Sequence, residues 1–339
     1  MSQNRFILLI LLPFIFACDK TDQFVESDRQ YNGNSGWLVD TTKMTGTSIM
    51  DVFPLVTEPV YTPAGDAPDK LLSDRAVVFV IDETVFIYPF WMLGVEVVND
   101  QIGDTHFSVT YCPKTRTTYV INRELEGKIH TFRASGLLYQ DNLVYYDMET
   151  GSFWSQMLFK SIKGAHSGIE PAYINSFETT YGIAKELFPE AIVFTDYVGS
   201  ARKKSVPGSG TNSLPASNNL VLGLPHLNIK PGLLPVVNYS NLGEGGIVES
   251  GNVLIVWSKP YHYINAFVSI PGLTFEFKND FPSILTDNEG NTWDAFGRAI
   301  SGPRKGDRLN ATVSYLALWW AWEGIFEGFA RITPVSKDI

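Results

Sequence analysis

Short runs of β-branched and aromatic residues, broken by turn chemistry, dominate the pattern along the chain. Residues 77–81 (VVFVI) and 85–88 (VFIY) flank Asp82-Glu83 and predict a hairpin. Pro89 then opens a short turn or helix, FWMLG, and 95–98 reads as a strand. Asn99-Asp100 with Gly103-Asp104 is turn chemistry. Strands follow over 107–111, 117–121, 129–132 and 143–146, with Glu126-Gly127 and Glu149-Thr150-Gly151 as turns. A helix comes next: Asn175 with Glu178 forms a capping-box pattern, Phe177, Tyr181, Ala184, Leu187 and Phe188 share one helical face, and Pro189 ends it.

The order then returns. At a spacing of 138 residues, those five apolar positions map onto Tyr315, Trp319, Trp322, Ile325 and Phe326, and Gly164 and Gly168 onto Gly302 and Gly306. Trp154 maps onto Trp293, and the string 97–99 onto 236–238, both at 139. The pattern predicts an α+β, β-rich fold of two pseudo-repeats, each a mostly antiparallel sheet with one packed helix. Residues 46–204 form the first unit, 205–219, rich in Ser, Gly, Asn and Pro, the linker, and 220–339 the second unit.

The N-terminus reads as an address. Arg5 precedes an apolar run over 6–16, and Ala17-Cys18 ends it; the run is too short to span a bilayer. This ending resembles the bacterial lipoprotein box, which implies a signal peptide over 1–17, lipidation of Cys18 and a polar tether over 18–45. The expected place is then the cell envelope, membrane-anchored and facing outside the cytoplasm. The chain has two cysteines, so a lipidated Cys18 leaves Cys112 without a partner and excludes a disulfide scaffold. A net charge of −10 with no Lys/Arg stripe argues against nucleic acid as a partner.

From 109–113 (VTYCP) and the stretch 135–156 (SGLLYQDNLVYYDMETGSFWSQ), the chain resembles the uncharacterised bacterial domain-of-unknown-function family 3179. The strings VVND at 97–100 and DNEGNTWDAFGRAISGPRKG at 287–306 fit it too, so the resemblance spans about 75–335. No activity comes with the family. The resemblance implies a CPxC pair and a His before the position of Glu96; here those places hold Thr115 and Val95. A soft metal or redox site in the family is therefore expected to be degenerate in this chain.

Cys112 is the one catalytic candidate. It is either a thiolate activated by Lys114 and Arg116 or a packed, inert strand-end cysteine. Glu96, Asp100 and Asp147 are carboxylates for acid–base work or, for the two aspartates, turn caps. Ser135 in ASGLL is no nucleophile elbow, and the base a serine hydrolase needs has no better candidates than His130 and His166, which are possibilities only. The five histidines show no metal-ligand spacing, so neither metal nor other cofactor is expected. The favoured reading is a non-catalytic module, anchored through Cys18, that binds a small ligand or an envelope protein, with Glu96, Arg116, Arg133, Tyr139, Tyr145 and Trp154 lining the site. The alternative is a redox or metal-dependent enzyme using Cys112.

Overall fold

The computed structural model describes residues 36–46, 53–198, 220–226, 234–326 and 329–331. Cys18, most of the tether and the linker 205–219 lie outside them. Among the described residues the chain is β-rich with two short α-helices, and no helix is long and apolar enough to cross a membrane.

Arg75–Ile81 and Thr84–Pro89 form the expected hairpin, closed by Asp82 and Glu83, which both take positive φ. Such a two-residue turn matches the natural strand twist. Ser176–Thr180 pairs antiparallel with Arg75–Ile81, and Ile192–Val198 lies parallel to Thr84–Pro89. Glu58–Pro63 closes this sheet. A second sheet runs Tyr173–Ile174, Thr117–Asn122, Thr105–Cys112, Val97–Ile102. A third runs Met44–Gly46, Phe132–Tyr139, Asn142–Asp147, Phe153–Ser155, Lys160–Lys163. Between the last two a small hairpin, Glu124–Leu125 with Lys128–Ile129, turns on Glu126 and Gly127 at positive φ.

The C-terminal half carries the same orders. Tyr315–Leu318, Leu220–Gly223, Leu234–Asn238 and Phe329–Arg331 follow the first sheet, including its one parallel pair. Gly245–Ser250, Val253–Ser258 and Tyr263–Val268 follow the second. Phe275–Asp280, Ser283–Asp287, Thr292–Asp294 and Ala299–Ser301 follow the third. The two helices, α1 (Tyr181–Leu187) and α2 (Trp319–Ile325), start 138 residues apart, each directly after a strand. The string 97–99 is an exception: its strand corresponds to Gly245–Ser250, whereas 236–238 lies in a different sheet.

The first helix is shorter than its apolar spacing predicts. Residues 176–180 are strand, because their backbone completes the ladder on Arg75–Ile81 and Thr179 and Thr180 favour extended backbone. Thr180 caps α1 by accepting the Ile183 N–H. Glu178 is therefore no capping-box residue; it is buried and pairs with Arg75 at 2.7 Å. In the second half the close contact is Trp322 on Gly223, where any Cβ would stand 2.3 Å from the indole.

Helix and strand pack across the halves. Phe177 of the first half meets Tyr263 (4.9 Å between ring centroids) and Phe296 (5.2 Å) of the second. Tyr315, at the matching place, meets Tyr119 (5.6 Å) of the first and donates to the Met157 carbonyl. Each half thus completes the other's core, and the described residues belong to one compact unit.

Candidate functional site

Cys112 ends the strand Thr105–Cys112 and is buried. Its Sγ lies 3.8 Å from the Asp141 carbonyl, to which it donates. Burial pushes the thiol up, against smaller opposing contributions from the Thr115 hydroxyl and amide. The expected cations do not serve it. Lys114 pairs outward with the Asp141 carboxylate, and Arg116 stands among Asp74, Tyr111 and Glu178. A thiol so placed has little thiolate character at neutral pH.

Thr115, at the second position of the CPxC pattern, is fully buried and belongs to a polar network. Its hydroxyl accepts from Thr117 (3.0 Å) and Asn142 (2.9 Å); Asn142 also donates to Gln156, which donates to Thr110 and the Thr117 carbonyl. The network knits the second sheet to the third, so these polar groups are satisfied rather than offered to a ligand.

The strand expected over 95–98 begins only at Val97, and Glu96 precedes it. It follows the 3₁₀ turn Leu93–Val95 with φ 67°, is 8% exposed, and burial pushes its carboxyl up to about 8. It is near enough to Cys112 to raise the thiol further. A buried, neutral carboxylic acid on strained backbone is the one unusual group of this region.

The other expected lining residues are dispersed. Tyr145 and Trp154 stack in a fully buried core. Tyr139 packs in a separate cluster with Val39, Val144 and Ile162. Arg133 donates to the Phe53 carbonyl, at 2.7 Å from Nη2. Among the described residues, none of these, nor Glu96 or Arg116, lines the cavity between the halves. Ser135 is equally structural: it sits at a β-bulge, donates to the Val144 carbonyl at 2.5 Å and accepts the Leu137 N–H. Asp100 accepts from the Tyr61 hydroxyl and the Gln101 N–H, and burial raises it.

A narrow cavity between the halves is lined by residues from both, among them Thr118, Glu178, Asn265 and Ser314. Thr118 Oγ1, Glu178 Oε1 and Ser314 Oγ are buried there with no hydrogen-bond partner among the described residues. Uncompensated polar atoms around a cavity call for a water or a small polar ligand.

One cluster has no sequence signature. His130, Asp147 and His166 converge from three segments, each offering a ligand atom within 4.8 Å of the others, and all are buried. His130 lies between the small hairpin and the strand Phe132–Tyr139, Asp147 ends Asn142–Asp147, and His166 follows Lys160–Lys163. The two Nε2 atoms are 3.0 Å apart. Spacings of 17 and 19 residues put these groups together only through the sheet; no motif scan finds them. The signal in reach was the pair of histidines flanking the third sheet's strands.

The family profile described as "Protein of unknown function (DUF3179)" matches residues 50–215. Over that stretch the chain belongs to this family. The DUF3179 stretch contains Glu96, Cys112, Thr115 and the His130–Asp147–His166 cluster; the segment 287–306 falls outside it. No curated protein and no solved structure matches the chain.

Proposed function

We propose that this is a non-catalytic lipoprotein of the cell envelope, anchored through Cys18, that binds a small polar ligand or an envelope protein. The observation that carries the non-catalytic reading is the state of Cys112: buried, raised by burial and hydrogen-bonded to a backbone carbonyl, with its neighbouring cations turned elsewhere. The narrow cavity between the halves, edged by unpartnered polar atoms, offers a place for one water-sized polar molecule. The test is thiol chemistry on the folded protein. Cys112 is expected to resist iodoacetamide at neutral pH and to react once the chain is unfolded in urea. Rapid labelling of the folded protein, with a rate midpoint well below the ordinary thiol range, contradicts it. The anchor is tested separately by metabolic labelling with a fatty acid, expected in the wild type and lost in Cys18→Ser.

One observation favours a second reading, an enzyme using Cys112. Glu96, held neutral up to about pH 8 on strained backbone beside the thiol, is a candidate proton donor. A Cys112-dependent activity that Glu96→Gln abolishes without unfolding supports that reading over the first.

A further inference from the structure

Two imidazole nitrogens in buried contact need something between them. His130 Nδ1 faces the Lys128 carbonyl at 3.0 Å, a contact that requires the hydrogen on Nδ1 and leaves Nε2 as a lone pair. His166 Nδ1 faces the Glu126 carboxylate at 3.6 Å, which favours a hydrogen there too. With His166 in that tautomer two Nε2 lone pairs meet at 3.0 Å and a cation between them resolves the contact, whereas the other tautomer gives a plain Nε2–H···Nε2 hydrogen bond.

The surroundings favour a cation. Both outer contacts come from one hairpin: Glu126 and Lys128 belong to the Glu124–Ile129 ribbon, which Arg123 ties down by donating to the His130 and Asp100 carbonyls. Histidine ligands of metals typically donate their second N–H to a carbonyl or a carboxylate, and here one partner of each kind is present. The third member, Asp147, is fixed by its other contacts. Oδ1 accepts the Thr150 N–H and hydroxyl at 2.7 Å, and Oδ2 accepts the Trp154 indole N–H at 3.0 Å, leaving a lone pair of Oδ2 for a ligand. Ligand atoms around a tetrahedral zinc ion stand about 3.3 Å apart for bonds of about 2.0–2.1 Å, close to the observed Nε2 separation.

We propose that His130, His166 and Asp147 form a binding site for a divalent transition-metal ion of the zinc type, with one coordination position left to water or a ligand. The site uses none of the residues around the Cys112 thiol and does not depend on the cavity between the halves taking a ligand.

The test uses the full chain, purified in detergent without a histidine tag, titrated with Co²⁺ and Zn²⁺. One Co²⁺ per chain is expected, with visible d–d bands that an equivalent of Zn²⁺ removes. His166→Gln should abolish the bands. Glu126→Gln changes a surface residue and cannot unfold the core; it should weaken binding about 10- to 100-fold by freeing the His166 ring. The proposal is overturned by the absence of stoichiometric binding, with imidazole NMR showing a direct His–His hydrogen bond. Binding that persists unchanged in both variants overturns it equally, because the ion then lies elsewhere.

Discussion

In the first half Asp147 accepts the Trp154 indole N–H at 3.0 Å, and in the second Asp287 accepts that of Trp293 at 2.8 Å. The likeness goes further. The Asp147 amide donates to the Ser152 carbonyl and the Asp287 amide to that of Asn291. Gly151 and Gly290 both take positive φ in the turns, and Phe132 and Phe275 sit edge-on to the two tryptophans. The His166 amide is held by the Ser152 side chain, the Arg304 amide by that of Asn291. Yet His166 stands where the second half has Arg304, in a surface pair with Glu289. His130, two residues before Phe132, stands where it has the buried Leu273. Among the described residues the second half has no counterpart of the Glu124–Ile129 hairpin. The turn therefore needs its Asp, Gly and Trp for architecture and has no need of two histidines. What the first half adds is a pair of buried histidines beside the turn.

A second contrast runs the same way. The Glu96 carbonyl accepts the Tyr111 N–H, and at the matching place the Glu244 carbonyl accepts that of Lys259. Glu96 is buried beside Cys112, whereas Glu244 is exposed and Pro260 stands in the place of the cysteine.

The largest effects should be blind to the difference between the halves. Trp154→Ala and Trp293→Ala each empty a fully buried indole site and should each cost about 3–5 kcal/mol in urea unfolding. A cost confined to one of them breaks the likeness of the two turns.

Glu96 sharpens the contrast through pH. Its folded-state value lies near 8, above the ordinary value of 4.5, so the native state holds a proton that the unfolded chain has released. Stability should be unpenalised below about pH 4.5, fall as pH rises from there towards 8, and level off above. Glu96→Gln should remove that fall and be stabilised by about 2–4 kcal/mol relative to wild type at pH 8, with little difference at pH 4. Glu244→Gln should change stability by less than about 0.5 kcal/mol at pH 7. A pH-independent effect of Glu96→Gln contradicts the buried-acid assignment.

Smaller effects come from the aspartates. Asp147→Asn and Asp287→Asn keep an oxygen for the indole but weaken charge-assisted bonds, and each should cost about 1–3 kcal/mol by thermal unfolding. Only Asp147→Asn should also weaken Co²⁺ binding. Cys112→Ala should cost about 1 kcal/mol by urea unfolding, since one small buried side chain is removed.

The strand order was legible where two-residue turns such as Asp82-Glu83 punctuate β-branched runs, because turn and strand preferences agree there. Apolar spacing overextends the helix at 181–187, because Phe177 fits both a helical face and an inward strand position; only the ladder with Arg75–Ile81 decides between them. Trp320, as its helical spacing indicates, is the exposed member of the α2 tryptophans. The six proposed lining residues were drawn together by nearness in sequence, but alternation along strands sends neighbours to opposite faces, as for Arg133 and Ala134. The His130–His166 contact was hidden for the converse reason: it exists only once Phe132–Tyr139, Asn142–Asp147, Phe153–Ser155 and Lys160–Lys163 lie side by side.

The most direct test makes the first half resemble the second. The double variant His130→Leu/His166→Arg places there the residues found at 273 and 304. Metal content after equilibration with a small excess of Zn²⁺ and desalting should be one ion per wild-type chain and none per variant chain, with the variant still folded by near-UV circular dichroism. No zinc on the wild type, or equal zinc on both, contradicts the account.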